Sequence, residues 1–74
     1  MNLSEVFKEL ENDSSNKFVT YENDLGGKFK HVLFTSHDKN IYLETYYVLE
    51  DGFERKEGLN FVHLLKLDFK WERQ

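Results

Sequence analysis

The chain contains no cysteine, so neither a disulfide framework nor a thiolate metal site supports its core, and a reducing compartment suits it. Its 74 residues allow one small domain, which we expect to span residues 1–74 and to be stabilised by packing or self-association. The longest apolar run, Tyr46 to Leu49, is too short to cross a bilayer, and no basic segment followed by an apolar stretch opens the sequence. We therefore expect a soluble, unexported, cytoplasmic protein.

Motifs for catalysis and cofactor binding are also lacking. No serine lies in a nucleophile elbow, and no glycine-rich stretch precedes a helix as a phosphate cradle requires. The histidines His31, His37 and His63 do not show the paired spacing of zinc ligands. Fourteen acidic against ten basic residues give a formal charge of -4, which disfavours nonspecific attraction to nucleic acid or anionic membranes. We predict a non-enzymatic protein without metal, cofactor or membrane partner.

The feature that the chain has in excess is aromatic side chains, which make up 16% of its residues. Such side chains dominate the energetics of cores and interfaces. Three of them, Phe61, Phe69 and Trp71, belong to an alternating pattern near the end of the sequence. Between Phe61 and Trp71, odd positions are apolar or aromatic apart from His63, whereas even positions from Lys66 to Glu72 are charged. Because successive strand side chains point to opposite faces, this pattern predicts a terminal strand with one apolar face.

The remaining patterns predict one helix followed by strands. Apolar residues from Leu3 to Leu10 follow the spacing of one helix face, and Asn2 with Glu5 forms a capping box. Further strands are predicted at Lys17 to Glu22, Lys28 to Thr35, Ile41 to Glu50 and Phe53 to Lys56. Asp51 and Gly52 predict a two-residue turn of the primed type, and Gly58 a bulge or break. The predicted fold class is α+β, with one short N-terminal helix packed on a four- to five-stranded antiparallel meander sheet.

The single helix leaves part of this sheet uncovered. A helix covers a strip about 10 Å wide, whereas four or five strands at about 4.8 Å spacing present about twice that width. On the strand Ile41 to Glu50, alternation places Tyr42 and Tyr46 together on the face away from the expected core. Monomers rarely leave large apolar patches wet, so either the sheet curls into a partial barrel or another protein covers the surplus.

The leading functional interpretation is a small protein-binding domain that acts as an inhibitor or adaptor on a larger partner, or as a homodimer. The predicted contact residues are the aromatic anchors Tyr42, Tyr46 and Trp71 and a polar rim of Glu44, Glu50, Asp51 and Glu54. Trp71 would contact the partner if the terminal strand is an edge strand, and would belong to the core if that strand is central. An acidic rim beside exposed aromatic rings suits a basic protein surface, as in small acidic inhibitors of nucleic-acid enzymes, many of them encoded by phages.

The alternative interpretation is a single-stranded nucleic-acid-binding module. The stretch Lys28, Phe29, Lys30 and His31 interleaves basic and aromatic residues, as do sheets that stack bases and neutralise phosphates. The RNA-recognition consensus, however, requires a small residue where Lys30 stands. This mismatch and the acidic net charge favour another interpretation, in which the phenylalanines of the stretch pack in the core and its lysines are solvated.

Overall fold

The structure, a computed structural model, describes residues 1–24, 27–60 and 69–74. It contains the helix α1 (Leu3–Asn12) and the strands β1 (Lys17–Asp24), β2 (Gly27–Thr35), β3 (Ile41–Val48), β4 (Glu54–Asn60) and β5 (Glu72–Arg73). The strands form one antiparallel sheet in the order β4-β3-β2-β1-β5. The predicted α+β class is confirmed. Within the described ranges, no helix is long and apolar enough to cross a membrane.

Helix α1 begins at the predicted capping box. The side chain of Asn2 accepts a hydrogen bond from the Glu5 backbone at 2.9 Å, and the Glu5 carboxylate accepts one from the Asn2 backbone at 3.0 Å. These bonds satisfy two amide groups that lack partners within the helix. The helix ends at Asn12, and the carboxylate of the next residue, Asp13, accepts hydrogen bonds from the backbone and the hydroxyl of Ser15. The polar stretch after the helix therefore stops it, as its sequence predicts.

The strand order departs from that of a simple meander at β5. Strands β1 to β4 lie beside one another in chain order, whereas β5 pairs with β1 at the far edge. In this pairing Phe18 lies opposite Arg73, and Val19 lies opposite Glu72. Just before β5, the backbone N–H of Trp71 donates to the Met1 carbonyl at 2.8 Å, and the Met1 amino group donates to the Trp71 carbonyl at 2.8 Å. These bonds hold the segment before β5 against the residues that precede α1.

The predicted terminal strand can be compared with the structure only in part, because its residues 61–68 lie outside the described residues. Residues 69–71 are not strand, and β5 contains only Glu72 and Arg73, so the prediction is wrong for that part. Strand β4 runs further than predicted and contains Gly58. Thr45 pairs with Gly58 and Tyr46 pairs with Lys56, which leaves Glu57 as an extra residue beside the glycine. The predicted irregularity at Gly58 is therefore a bulge within β4, not a break between strands.

The predicted two-residue turn at Asp51 and Gly52 is wrong, because the loop contains three residues. The Leu49 N–H donates to the Phe53 carbonyl at 2.7 Å, and the Gly52 N–H donates to the Leu49 carbonyl at 2.9 Å. Within the loop Glu50-Asp51-Gly52, positive φ occurs at Gly52 alone, where it is 90°. A primed two-residue turn needs positive φ at both central residues, whereas a three-residue loop needs it once.

The core lies on one face of the sheet. Its buried side chains are Val6, Leu10, Phe18, Leu33, Leu43 and Trp71, with Leu3, Ile41 and Phe69 packed against them. Phe18 pairs with Leu33, which pairs with Leu43, so these three side chains share a face that we call the inner face. Val6 and Leu10 of the helix belong to the same buried cluster. The opposite face is called the outer face.

Candidate protein-binding face

The outer face is defined by strand pairing. It carries the odd positions from Lys17 to Tyr21 on β1, the even positions from Lys28 to Phe34 on β2 and from Tyr42 to Val48 on β3, and Glu54 and Lys56 on β4. Tyr42 and Tyr46 therefore lie together on the face opposite the core, as the alternation of β3 predicts. Val32, in the middle of this face, is only 5% exposed. Part of the outer face is therefore shielded from water.

Lysine side chains lie beside three of the aromatic rings of the outer face. The distance from the lysine Nζ to the ring centroid is 5.9 Å for Lys17 and Phe34 and 4.6 Å for Lys28 and Tyr21. The corresponding distance for Lys30 and Tyr46 is 5.2 Å. Each ammonium lies within the range at which the negative face of an aromatic ring attracts a cation. These contacts restrict the rings to a few orientations.

The hydroxyl groups of the two predicted tyrosine anchors donate to carboxylates. Tyr42 donates to Oδ2 of Asp38 at 2.5 Å, and Tyr46 donates to Oε2 of Glu44 at 2.9 Å. The hydrogen bond to Asp38 raises the pKa of Tyr42, and burial together with the bond to Glu44 raises the pKa of Tyr46. Both rings are therefore neutral phenols held at each end, by the backbone and by a carboxylate.

The predicted polar rim divides into two parts. Glu44 and Glu54 lie within the outer face, where Oε2 of Glu44 is 3.1 Å from Nζ of Lys56 and Oε1 of Glu54 is 2.8 Å from Nζ of Lys30. Burial opposes the ionisation of Glu44, but the hydrogen bonds from Lys56 and Tyr46 outweigh it and lower its pKa.

The other two rim residues, Glu50 and Asp51, lie exposed in the loop between β3 and β4. No ion pair of either residue is present within the described part of the chain. The outer face thus carries four lysines and two glutamates, whereas the acids that form no ion pair among the described residues stand at its end.

Trp71 is not an exposed anchor, and its predicted role in binding is wrong. Its side chain is 1% exposed and belongs to the core together with Val6 and Leu10 of the helix. The ring of Phe69 packs edge-on against it, with 6.4 Å between the ring centroids. Strand β5 is an edge strand, yet Trp71, which precedes it, is buried in the same cluster as Val6 and Leu10.

The alternative nucleic-acid set does not form one surface. Lys28 and Lys30 lie on the outer face, whereas Phe29 and His31 lie on the inner face, and His31 is only 8% exposed. Consecutive strand residues point to opposite sides, so an interleaved stretch of basic and aromatic residues separates into two faces. The inner-face residues of this set also have partners there. The ring of Phe29 packs edge-on against Tyr47 at a centroid distance of 5.4 Å.

His31 joins three strands through its ring nitrogens. Nδ1 lies 2.9 Å from the Thr45 hydroxyl on β3, and Nε2 lies 3.3 Å from the Glu22 carboxylate on β1. The ring of Phe69 stacks on the imidazole with 5.5 Å between centroids. Since an ionised carboxylate only accepts, a neutral His31 carries its proton on Nε2 and accepts the Thr45 hydroxyl proton at Nδ1. This arrangement satisfies both nitrogens and gives His31 a structural role.

The most exposed large apolar side chain among the described residues is Phe53, at 72%, and the sequence pattern did not indicate this exposure. Leu49, across the same loop, is 37% exposed. The signal in the sequence was an aromatic residue immediately after Asp51 and Gly52, next to Glu54. Alternation placed Phe53 inside a strand, where an aromatic residue usually packs.

Comparisons of the chain with family models, with curated proteins and with solved structures find no match. Within the described residues, no group of three or more histidine, cysteine, aspartate or glutamate side chains could hold a metal ion. Among the described residues, the outer face and the loop between β3 and β4 at its end are the candidate binding surfaces.

Proposed function

We propose that the chain is a small non-enzymatic protein-binding domain, acting as an inhibitor or adaptor, which docks on a partner protein through the outer face. The observation that carries this proposal is the pair Tyr42 and Tyr46, which share that face with their hydroxyl groups bound to Asp38 and Glu44. Tyrosine is well suited to such contacts, because its ring is buried while its hydroxyl keeps polar partners. The four side chains form the centre of the proposed contact.

The order within the outer face supports binding with a low entropic cost. Rings that are already held by hydrogen bonds and by neighbouring lysines lose little freedom when a partner covers them. We also take α1 to be packed across the inner face, because Val6 and Leu10 share the core with Leu33 and Leu43. In that arrangement the helix covers the inner face, and the outer face is left for the partner.

The ion pairs of the outer face and the net charge of the chain favour a protein over a nucleic acid. Two of the four lysines on the face, Lys30 and Lys56, are already paired with Glu54 and Glu44, so they attract phosphate weakly. The net charge of -4 acts against nucleic-acid binding over longer distances. A partner protein of mixed polarity meets the same face without needing to displace these ion pairs.

The test is a pull-down with the wild type and with the double variant Tyr42→Asp with Tyr46→Asp. Lys8→Glu on the exposed side of α1 is the matched control, because it changes the net charge by the same amount, from +1 to -1, as two Tyr→Asp changes. We expect the double variant to lose the captured partner and the control to keep it. Capture of the same partner by both variants, with circular dichroism showing that both are folded, contradicts the proposal.

Two further measurements identify other occupants of the outer face. Light scattering that shows a dimer in the wild type and a monomer in the tyrosine double variant would identify the partner as a second copy of the chain. Titration with a labelled single-stranded oligonucleotide at low salt tests the alternative. Salt-sensitive micromolar binding that is lost in the double variant Lys28→Ala with Lys30→Ala would show that the chain binds nucleic acid, and would contradict the proposal of a protein partner.

A further inference from the structure

The loop between β3 and β4 exposes a pair of apolar side chains, Leu49 and Phe53, which we call the apolar tip. The two residues face each other across the loop, since the Leu49 N–H donates to the Phe53 carbonyl at 2.7 Å. Paired residues of antiparallel strands project to the same side. With exposed fractions of 37% and 72%, the two side chains form one apolar projection at the end of the sheet.

The loop itself is well ordered by hydrogen bonds. The Gly52 N–H donates to the Leu49 carbonyl at 2.9 Å, and the Phe53 N–H donates to Oδ1 of Asp51 at 3.1 Å. Gly52 adopts a φ of 90°, which costs little without a side chain. The backbone thus holds Phe53 in an exposed position. A partner that covers this side chain therefore restricts little additional motion of the chain.

The loop that carries the apolar tip is negatively charged, and Lys28 lines the same cleft as Leu49 and Glu50. Glu54 and Glu57 nearby are paired with Lys30 and Arg55, each at 2.8 Å. Glu50 and Asp51 lie between Leu49 and Phe53, and no ion pair of theirs is present among the described residues. The tip therefore combines apolar area with a negative rim, and a partner that covers it needs the complementary combination.

We infer that the apolar tip anchors the partner by entering an apolar pocket whose rim carries lysine or arginine residues opposite Glu50 and Asp51. The inference rests on the proposed function and specifies its partner. Leu49 follows Val48 and Phe53 precedes Glu54, and both of these neighbours belong to the outer face, so the alternation of strand side chains directs the apolar tip toward the opposite side at the end of the sheet. A partner docked on the outer face therefore reaches the tip by extending past the loop between β3 and β4, with Phe53 as the central contact.

The first experiment uses synthetic helical peptides as probes of this chemistry. One peptide combines leucine with arginine, a second combines leucine with glutamate, and a third combines serine with arginine. In nitrogen-15 NMR spectra, we expect the leucine–arginine peptide alone to shift the amide signals of residues 49–53, with an affinity that falls as salt is added. Equal binding of the leucine–glutamate peptide, or shifts confined to residues outside 49–53, overturns the inference.

Variants then assign the binding to side chains. Phe53→Ser should weaken binding of the leucine–arginine peptide about tenfold, because it removes a central aromatic contact. Lys8→Ser is the control, because Lys8 is exposed on α1, outside both the outer face and the tip. Glu50→Gln with Asp51→Asn should weaken binding and flatten its salt dependence, while Asn keeps an oxygen for the Phe53 N–H. Wild-type affinity in Phe53→Ser overturns the inference.

Failure of this inference and failure of the proposed function give different results in the pull-down. If Phe53→Ser still captures the partner while Tyr42→Asp with Tyr46→Asp loses it, the tip is not the anchor and the outer-face proposal stands. If Phe53→Ser loses the partner while the tyrosine variant keeps it, the tip is the anchor and the outer face is not the contact.

Discussion

Lys39 and Gly52 occupy the same position in two loops of the same geometry. Around Lys39, the Ser36 N–H donates to the Asn40 carbonyl and the Lys39 N–H donates to the Ser36 carbonyl, at 2.9 and 3.0 Å. Around Gly52, the corresponding bonds join Leu49 with Phe53 and Gly52 with Leu49. The third loop residue has positive φ in both, 71° at Lys39 and 90° at Gly52. Positive φ costs free energy in a residue that carries a side chain. The loop at Lys39 therefore contains backbone strain that the loop at Gly52 avoids.

Replacing Lys39 by glycine is expected to stabilise the protein. Relief of about 1 kcal/mol of backbone strain exceeds the greater freedom of glycine in the unfolded chain, so the free energy of unfolding should rise by up to about 1 kcal/mol. Urea denaturation measures the change. Lys39→Ala is the control, because it removes the side chain but keeps the strain. An equal gain from alanine would show that the lysine side chain, and not its φ, causes the cost.

Trp71 tests the core directly, since it is the single tryptophan of the chain. Its 1% exposure predicts blue-shifted fluorescence that acrylamide quenches poorly until urea unfolds the protein. Trp71→Ala should cost about 3–5 kcal/mol, a large part of the stability of a small domain. Phe53→Ala, at an exposed aromatic residue, should change stability by no more than about 0.5 kcal/mol. Ready quenching in the folded state would place the indole at the surface.

Thr45 is expected to stabilise the protein through His31. Thr45→Val removes the hydroxyl that lies 2.9 Å from Nδ1, and leaves a buried nitrogen without its partner. The expected loss of stability is about 1–3 kcal/mol. Thr45→Ser should retain most of the wild-type stability, because the hydroxyl remains. Nitrogen NMR of the neutral ring should show the proton on Nε2. A proton on Nδ1 would contradict the hydrogen-bond roles assigned to Thr45 and Glu22.

Glu44 is expected to make stability depend on pH in the acidic range. Burial disfavours its charge, but Lys56 and Tyr46 lower its pKa below the ordinary value of 4.5. The ionised form is thus favoured by folding, so this stabilisation is complete above pH 4.5 and is lost as the pH falls through the lowered pKa.

Glu44→Gln should therefore destabilise the protein at neutral pH, and the difference from wild type should shrink in urea titrations below pH 4.5. Glu50→Gln, at an exposed loop residue, is the control and should show a small difference at every pH. A difference between wild type and Glu44→Gln that stays constant through the acidic range would exclude Glu44 as the source of the pH dependence.

Local patterns were sufficient to predict most elements of the fold. The capping box of Asn2 and Glu5, and the shared face of Tyr42 and Tyr46, follow from contacts between residues near in sequence and from the period of two in a strand. The same period already separates Lys28 and Lys30 from Phe29 and His31. The structure therefore divides the four residues of the nucleic-acid set between two faces.

Contacts between distant parts of the chain were not predictable from such patterns. Alternation predicted an apolar face for the segment that contains Trp71. A period of two, however, does not show at which residue strand pairing begins or which strand is the pairing partner. The pairing of β5 with β1 and the hydrogen bonds between Met1 and Trp71 join opposite ends of the sequence. Similarly, the exposure of Phe53 depends on a three-residue loop, whose length is set by the hydrogen bonds between Leu49 and Phe53.

The sequence by itself determined the α+β class, the capped helix and the tyrosine pair on one face of β3, because each depends on local hydrogen bonding or on strand periodicity. Only the tertiary structure decided that Trp71 is buried and that Phe53 is exposed. Burial depends on which distant element covers a side chain: α1 contributes to the core around Trp71, whereas Phe53 is exposed at the end of the loop between β3 and β4.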